Sequence, residues 1–220
     1  MNKIIELLPQ IATAFGQTFY MMFFTLTIAA LLGIPLGTYL YLIRPGSLMQ
    51  KPRLYIVLDA MVNIVRSFPF LILLVAIIPF TRFIIGTSLG TTAVIVPLTI
   101  CATPDFARLI EQVLLEVNRG VIEMAEAAGA GTYQIIWKVL YREARSGMVC
   151  SATLICVNFI SYSTVAGLVG GGGIGDFAIR YGYYRYQPEV MVFTVILIIL
   201  LVQAIQTTGR IIAQKLDKRI

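Results

Sequence analysis

Histidine is absent from this chain of 220 residues, and its absence excludes several kinds of functional site. Ser-His-Asp and Cys-His catalysis, haem attachment and histidine-containing metal sites all require that side chain. Cysteine is scarce too, because only Cys101, Cys150 and Cys156 occur, in or beside apolar runs and without Cys-x-x-Cys spacing. We interpret them as small buried hydrophobic residues, and the sequence predicts neither a disulfide framework nor a metal site.

Charged residues are also few, at 13% of the chain, whereas 58% is hydrophobic and the mean hydropathy is +0.85. A soluble domain has roughly 45–50% apolar residues. The composition therefore predicts an integral membrane protein of the all-α class. The net charge of +6 does not indicate nucleic-acid binding, because the basic residues are dispersed between apolar segments.

The apolar runs predict five transmembrane helices, because about 20 apolar residues cross a bilayer as a helix. Asp59 and Arg66 interrupt the second span, and we expect Arg66 to extend toward the near interface and the chain to break at residues 66–70 (RSFPF). Thr103-Pro104-Asp105 is interpreted as the start of the next helix. The predicted organisation is an interfacial segment at 1–17, a transmembrane domain at 18–210 with spans at about 18–42, 60–81, 83–103, 147–169 and 188–209, and a cytoplasmic basic tail at 211–220.

Lysine and arginine predict an N-terminus outside and a C-terminus inside, since cytoplasmic segments carry the excess of these residues. In that orientation twelve basic residues are inside and four are outside. The five spans cannot divide into two equal inverted halves, so a symmetric pore would need two chains. The inner residues are Arg44, Lys51, Arg53, Arg108, Arg119, Lys138, Arg142, Arg145, Arg210, Lys215, Lys218 and Arg219; the outer ones are Lys3, Arg82, Arg180 and Arg185.

Residues 104–146 form a long charged interval, which we call the coupling loop and predict to be a cytoplasmic helix-turn-helix. Its centre, residues 123–129 (EMAEAAG), combines strong helix formers with a terminal glycine. We expect Gly129 to take the left-handed conformation that closes a helix. The second helix, residues 132–145, is predicted to be amphipathic. Its apolar face consists of Tyr133, Ile136, Trp137, Leu140 and Ala144.

Three short patterns each have two interpretations. Gly33-x-x-x-Gly37 permits close helix approach, either at a kink filled by a neighbouring helix or at a dimer interface. Residues 170–175 (GGGGIG) lack the Gly-Lys-Ser/Thr of a phosphate loop, so close packing of an outer loop or gate is favoured over nucleotide binding. A tyrosine cluster favours an interfacial belt over a ligand cage. Its members are Tyr181, Tyr183, Tyr184 and Tyr186.

The chain is not predicted to supply its own energy. The apolar cores of spans one, three, four and five contain no charged residue, which argues against a proton- or ion-driven carrier. Without a Walker-type loop the chain cannot hydrolyse ATP, and no enzyme activity or cofactor is predicted. Energy would arrive from a partner, and the coupling loop is the surface available to receive it.

Residues 123–129 resemble the Glu-Ala-Ala-x-x-x-Gly loop of permease subunits of type I, binding-protein-dependent ABC importers. Glu123, Ala125 and Gly129 match that motif, and Met124 replaces its first alanine. Further segments resemble the methionine importer permeases, so that the similarity covers essentially the whole chain. They are residues 63–74 (NIVRSFPFLILL), 78–82 (IPFTR), 86–90 (GTSLG), 95–99 (IVPLT), 170–175 and 181–183.

The resemblance implies a multi-pass protein of the bacterial cytoplasmic membrane that transports methionine or a related amino acid by alternating access. It implies a homodimer, two copies of an ATP-binding subunit and an extracytoplasmic substrate-binding lipoprotein, besides membrane lipid. Glu123, Ala125 and Gly129 would contact the ATPase. Residues 162–165, which are Tyr162, Ser163, Thr164 and Val165, would line the substrate pathway.

The chain departs from the family pattern in the helix after the coupling loop. Arg142 and Ser146 stand where the family usually has prolines, so a straighter helix is expected after the loop.

A stand-alone secondary carrier or channel for a small amino acid is the rival function. A membrane-embedded enzyme is disfavoured, because the chain lacks clustered acids or a nucleophile with a base.

Overall fold

The chain folds into helices joined by short turns, which confirms the predicted all-α class. The structure, a computed structural model, describes residues 2–217, with side chains from residue 5 onward, and no strand occurs in this part. Two π-helical segments, Ile135–Leu140 and Ala178–Tyr184, interrupt the α-helices. The helices are α1 (Asn2–Ile43), α2 (Pro52–Ser67), α3 (Phe70–Ala76), α4 (Ile78–Ile85), α5 (Thr91–Leu115), α6 (Arg119–Ala127), α7 (Thr132–Gln134), α8 (Tyr141–Gly167), α9 (Gly173–Phe177) and α10 (Pro188–Leu216).

Four stretches of helix in residues 2–217 are long and apolar enough to cross a membrane: Ile5–Ile43, Thr91–Leu115, Thr132–Gly167 and Pro188–Leu216. A fifth crossing exists if α2 and α3 count as one span, and these two helices meet at an angle of 100°. The predicted second span is therefore a broken element and not a continuous helix. The break falls at Phe68 and Pro69, inside the predicted interval, because Pro69 cannot continue α2.

Within residues 2–217, the first and last segments do not form separate elements. The helix α1 is continuous through Pro9 and Pro35, so the expected boundary at residue 17 lies within it. Likewise α10 runs to Leu216, and most of the predicted basic tail is helical. The placement of either end in the membrane interface stays a prediction, and Lys218 and Arg219 lie outside the described residues.

The prediction that a new helix begins at Thr103-Pro104-Asp105 is wrong. The helix α5 begins at Thr91 and passes through both Pro97 and Pro104 to Leu115. Beside the second proline, the hydroxyl of Thr103 donates to the carbonyl oxygen of Thr99 at 2.8 Å. Asp105, Arg108 and Glu111 therefore lie within α5, in continuous helix with the residues of the third predicted span.

The glycines at positions 33 and 37 bring α1 onto α5 of the same chain. A Cβ atom at Gly33 would overlap Phe106, and one at Gly37 would overlap the backbone of Ala107. Only glycine permits this approach. The dimer-interface interpretation of Gly33-x-x-x-Gly37 is therefore wrong, because α5 already occupies this face.

Helix α5 is the centre of the bundle, since it packs against α1, α2 and α8, while α10 packs on the far side of α8. The short helix α9 fits between α1 and α8. Its first amides, those of Gly173 and Ile174, donate to the side chains of Gln17 and Thr18 at 2.9 Å each. This confirms close packing at the glycine run, and it leaves the start of α9 already satisfied by protein groups.

The tyrosine cluster is largely exposed. Tyr183, Tyr184 and Tyr186 expose 65% or more of their surface, whereas Tyr181 stacks on Phe177 and lies under the guanidinium of Arg185 at 4.3 Å. The ring of Tyr181, which is best placed to bind a cation, is therefore already covered by the cationic side chain of Arg185. These positions fit the interfacial belt, which stays a prediction about the membrane.

Candidate functional site

Helix α6 and the turn after it form a compact, fully capped unit. The side chain of Asn118 accepts a hydrogen bond from the amide of Gly120 at 2.8 Å, which caps the first turn. Gly129 has a φ of +78°, as the sequence predicts. Its amide donates to Glu126, and the next amide, of Ala130, donates to Ala125, which together form a Schellman motif. The turn is therefore set by local chemistry alone.

One face of α6 anchors the unit and the other is open. Ile122 is buried against Tyr41 and Leu114, and Ala125 packs beside it. The side chain of Glu123 is 64% exposed and forms a salt bridge with Arg119 at 3.2 Å. Among exposed pairs of this kind the contribution to stability is at most about 1 kcal/mol. The open face is thus available to a partner without cost to the fold.

The helix after the turn buries the predicted Leu140 and Ala144 but not the two predicted aromatic residues. Ile135 and Leu140 are buried, whereas Tyr133 and Trp137 are 73% and 55% exposed. The cause is the π-helical segment Ile135–Leu140, because a wider turn brings positions five apart onto one face. Two large aromatic side chains are thereby left exposed beside the α6 turn.

The helix that contains this segment runs continuously from Thr132 to Gly167. It passes through Arg142 and Ser146 without a break. The hydroxyl of Ser146 donates to the carbonyl oxygen of Ala213 at 3.0 Å, and Nε of Arg145 donates to that of Leu216 at 2.9 Å. These two bonds tie the start of α8 to the last turns of α10.

A second region of interest is a cavity of about 580 Å³ between α2, α3, α5 and α8. On its wall Nε of Arg66 donates to Asp105 at 2.8 Å, and the ring of Tyr162 packs on Phe70 with centroids 5.1 Å apart. Polar and apolar side chains both face it. The lining residues are Asn63, Arg66, Ser67, Phe68, Phe70, Cys101, Asp105, Leu109, Leu154, Ile155, Asn158 and Tyr162.

Of the predicted pathway residues, Tyr162 lines this cavity and the next three do not. Ser163 is buried and donates its hydroxyl to the carbonyl oxygen of Ile160 at 2.9 Å. Thr164 donates to the same carbonyl and lies against Gly175, and Val165 packs into the adjacent apolar cluster. The hydroxyls of Ser163 and Thr164 are therefore hydrogen-bonded within the bundle.

The charged residues between α2 and α5 were not predicted as a site. Arg66 pairs with Asp105 and does not extend to an interface alone, and Arg108, counted above as a loop charge, binds Asp59 and Glu111. The sequence contained one indication of this site, because charges of opposite sign occur in two neighbouring apolar segments. Charges within a membrane usually pair and mark a functional site.

Comparison with known proteins settles the family. Residues 33–220 match the family described as "Binding-protein-dependent transport system inner membrane component". The chain belongs to this family. It is therefore a multi-pass inner-membrane permease subunit of an ABC importer, in which ATP is hydrolysed by a separate subunit.

Curated relatives of the permease carry a more specific description. A "probable D-methionine transport system permease protein" of Vibrio cholerae is 50% identical over 207 residues, covering 94% of this chain and 92% of the relative. The D-methionine transport system permease protein of Escherichia coli K12 is 46% identical over 151 residues, covering 69% and 70% of the two chains.

Solved structures agree with the fold of the permease. A chain from inward-facing conformations of the MetNI methionine ABC transporter aligns with a TM-score of 0.94 and 41% identity, covering 97% of this chain and 99% of that one. A chain of an amino acid ABC transporter solved with histidines has a TM-score of 0.71 at 17% identity, which shows a shared fold alone.

Proposed function

We propose that this permease passes methionine or a closely related amino acid across the cytoplasmic membrane, driven by a separate ATPase. The observation that carries the proposal is the 50% identity, over 94% of the chain, to a probable D-methionine permease. The near-complete structural match to a chain of a methionine ABC transporter supports it. Transport would proceed by alternating access, in which the spans move between inward- and outward-open arrangements.

The α6 turn is proposed as the contact with the ATPase. Glu123 and the adjoining small residues are exposed, while Ala125 and the conformation of Gly129 hold the shape of the turn. Tyr133 and Trp137 add exposed aromatic area next to it. Aromatic residues are enriched at protein interfaces, so this surface suits a protein partner better than it suits water.

We further propose a homodimer with two ATPase subunits inside and a substrate-binding lipoprotein outside. A single five-span chain without an inverted repeat cannot enclose a symmetric pathway. The cavity is bounded by α2, α3, α5 and α8 of one chain and is open on its remaining side. A second copy would complete its wall.

Uptake in cells tests the substrate. In a strain without another methionine importer, deletion of this chain should abolish high-affinity uptake of radiolabelled L- or D-methionine, and the intact gene should restore it. Uptake of leucine is the matched control and should not change. Unaltered methionine uptake in the deletion strain would contradict the proposal.

Reconstitution separates the rival secondary carrier. Liposomes containing this chain alone should show no uptake under an ion gradient, whereas addition of the ATPase, the binding protein and ATP should produce it. Gradient-driven uptake by the chain alone would favour the carrier.

A further inference from the structure

Arg66 and Asp105 pair between α2 and α5, two helices that belong to candidate membrane spans. Asp105 precedes Leu115, the last residue of α5, by ten residues, which is about 15 Å of helix. Arg66 follows Pro52, the first residue of α2, by fourteen residues, or about 21 Å. Both residues thus belong to candidate membrane spans, in which ionisable groups usually pair and mark a ligand pathway.

A neighbouring cluster already fulfils the structural role of linking α2 to α5. Arg108 donates from Nη1 to Glu111 at 2.7 Å, and from Nη2 to Asp59 and to Asn63 at 2.5 and 2.9 Å. Its side chain is 14% exposed, and that of Glu111 is 2% exposed. This guanidinium is surrounded by acceptors from both helices and has little capacity for a ligand.

Within residues 2–217, the guanidinium of Arg66 differs from that of Arg108 because most of its hydrogen-bond donors have no partner. Within residues 2–217 it makes one hydrogen bond, from Nε to Oδ1 of Asp105, and four of its five N–H donors have no partner. Oδ2 of Asp105 accepts no hydrogen bond in the same part of the chain, and the two side chains are 36% and 22% exposed. One charge of each sign is thus presented to the cavity with hydrogen-bonding groups to spare.

An α-amino acid carries the complementary charges on adjacent groups. We infer that this cavity binds a zwitterionic α-amino acid, with its carboxylate on the terminal nitrogens of Arg66 and its ammonium on Asp105; this rests on the proposed transport of an amino acid. A guanidinium binds a carboxylate through two parallel hydrogen bonds. Two opposite charges that enter beside an opposite pair leave the cavity neutral, which limits the cost of burying them.

The rest of the wall fits the same ligand. Asn158, which makes no side-chain hydrogen bond within residues 2–217, supplies an amide, and Tyr162 supplies a hydroxyl on a ring fixed by Phe70. Leu154 and Ile155 offer an apolar surface for the side chain of the amino acid. The volume of about 580 Å³ is within the range of small-molecule sites, about 300–1,000 Å³. The site thus recognises the charged end that all α-amino acids share.

Matched removal of charge from protein and ligand tests the assignment. Binding of radiolabelled L-methionine, methionine amide and N-acetylmethionine would be measured on the purified permease–ATPase complex, with the ATPase alone in parallel to subtract its own binding. Arg66→Gln should weaken methionine binding roughly tenfold to hundredfold and should abolish the preference for methionine over its amide. Asp105→Asn should abolish the preference over N-acetylmethionine.

A purely structural pair gives a different result. It would weaken all three ligands by the same factor, leaving both preferences intact, and that outcome overturns the inference. Arg82→Gln is the matched control, because this arginine binds Ser88 on the far side of the α4 turn and does not line the cavity. It should change neither affinity nor preference. Absence of methionine binding by the unmodified complex at concentrations up to about 10 mM also overturns the inference.

Failure of this site is distinguishable from failure of the proposed function. Uptake into liposomes with the binding protein and ATP would be measured for the same proteins. Methionine uptake that is normal in Arg66→Gln and Asp105→Asn, with unchanged ligand preferences, refutes the site while the transport function stands. No methionine uptake by the unmodified complex refutes the transport function itself.

Discussion

The amide of Ala130 donates to the carbonyl oxygen of Ala125 at 3.0 Å, and this bond closes α6 across Gly129. A residue with a side chain at Gly129 would have to take the left-handed conformation, at a cost of roughly 1–2 kcal/mol, or else open the turn. We expect Gly129→Val to leave the chain inserted in the membrane but to reduce copurification of the ATPase and substrate-stimulated ATP hydrolysis.

The control for that substitution is two residues away. Gly131 also has open space around it, but its φ of −69° suits any residue. Gly131→Val should therefore keep ATPase association near the wild-type level. Equal loss in both variants would mean that bulk, and not the conformation of the turn, affects the contact.

Substitution at Glu123 separates partner contact from helix stability. Because both Glu123 and Arg119 are largely exposed, loss of their salt bridge should change the melting temperature little. Glu123→Lys is expected to weaken ATPase association through charge repulsion, whereas Arg119→Ala, which breaks the same salt bridge, should not. If the two variants lose association equally, the salt bridge itself is the functional feature.

The close contact between α1 and α5 makes Gly37 intolerant of even a methyl group. Gly37→Ala would overlap the backbone of Ala107, and overpacking of this kind costs about 1–3 kcal/mol. We expect a lower melting temperature in detergent. Gly16→Ala, in the same helix with no atom within 4 Å of the added methyl, should raise stability by up to about 1 kcal/mol. A melting temperature unchanged by Gly37→Ala would refute the contact.

Orientation in the membrane is open to a direct measurement. In a cysteine-free variant, single cysteines would be introduced as Tyr186→Cys, at a side chain that is 90% exposed, and as Glu126→Cys, on the α6 turn. With the N-terminus outside, a membrane-impermeant maleimide added to intact cells should label the first and not the second. The opposite labelling pattern would invert the topology.

Features that depend on neighbouring residues could be predicted from the sequence. Asn118 caps α6 and Gly129 closes it through hydrogen bonds that span at most five residues, so no distant part of the chain is involved. The break near Pro69 is local for the same reason. Asn118 and Gly129 bound α6, so the conformation of the turn that is proposed to contact the ATPase depends on neighbouring residues alone.

Features that depend on distant residues were not predictable in this way. Pro104 looked like the start of a helix, but the packing of Gly33 and Gly37 against the same turn of α5 keeps the helix intact. Arg66 and Asp105 form an ion pair although 39 positions separate them in the sequence. The buried face of Ile135 depends on a π-helical turn, and a periodicity of 3.6 residues does not describe such a turn.

The unbroken helix from Thr132 to Gly167 carries the proposed ATPase contact at one end and a wall of the cavity at the other. Tyr162 stands thirty residues beyond Thr132, about 45 Å along the axis. The helix α10 is hydrogen-bonded to it near the first of these ends, through Arg145 and Ser146. The proposed contact and the cavity wall thus share one continuous element, so a movement of the proposed contact would be passed along this helix to the cavity.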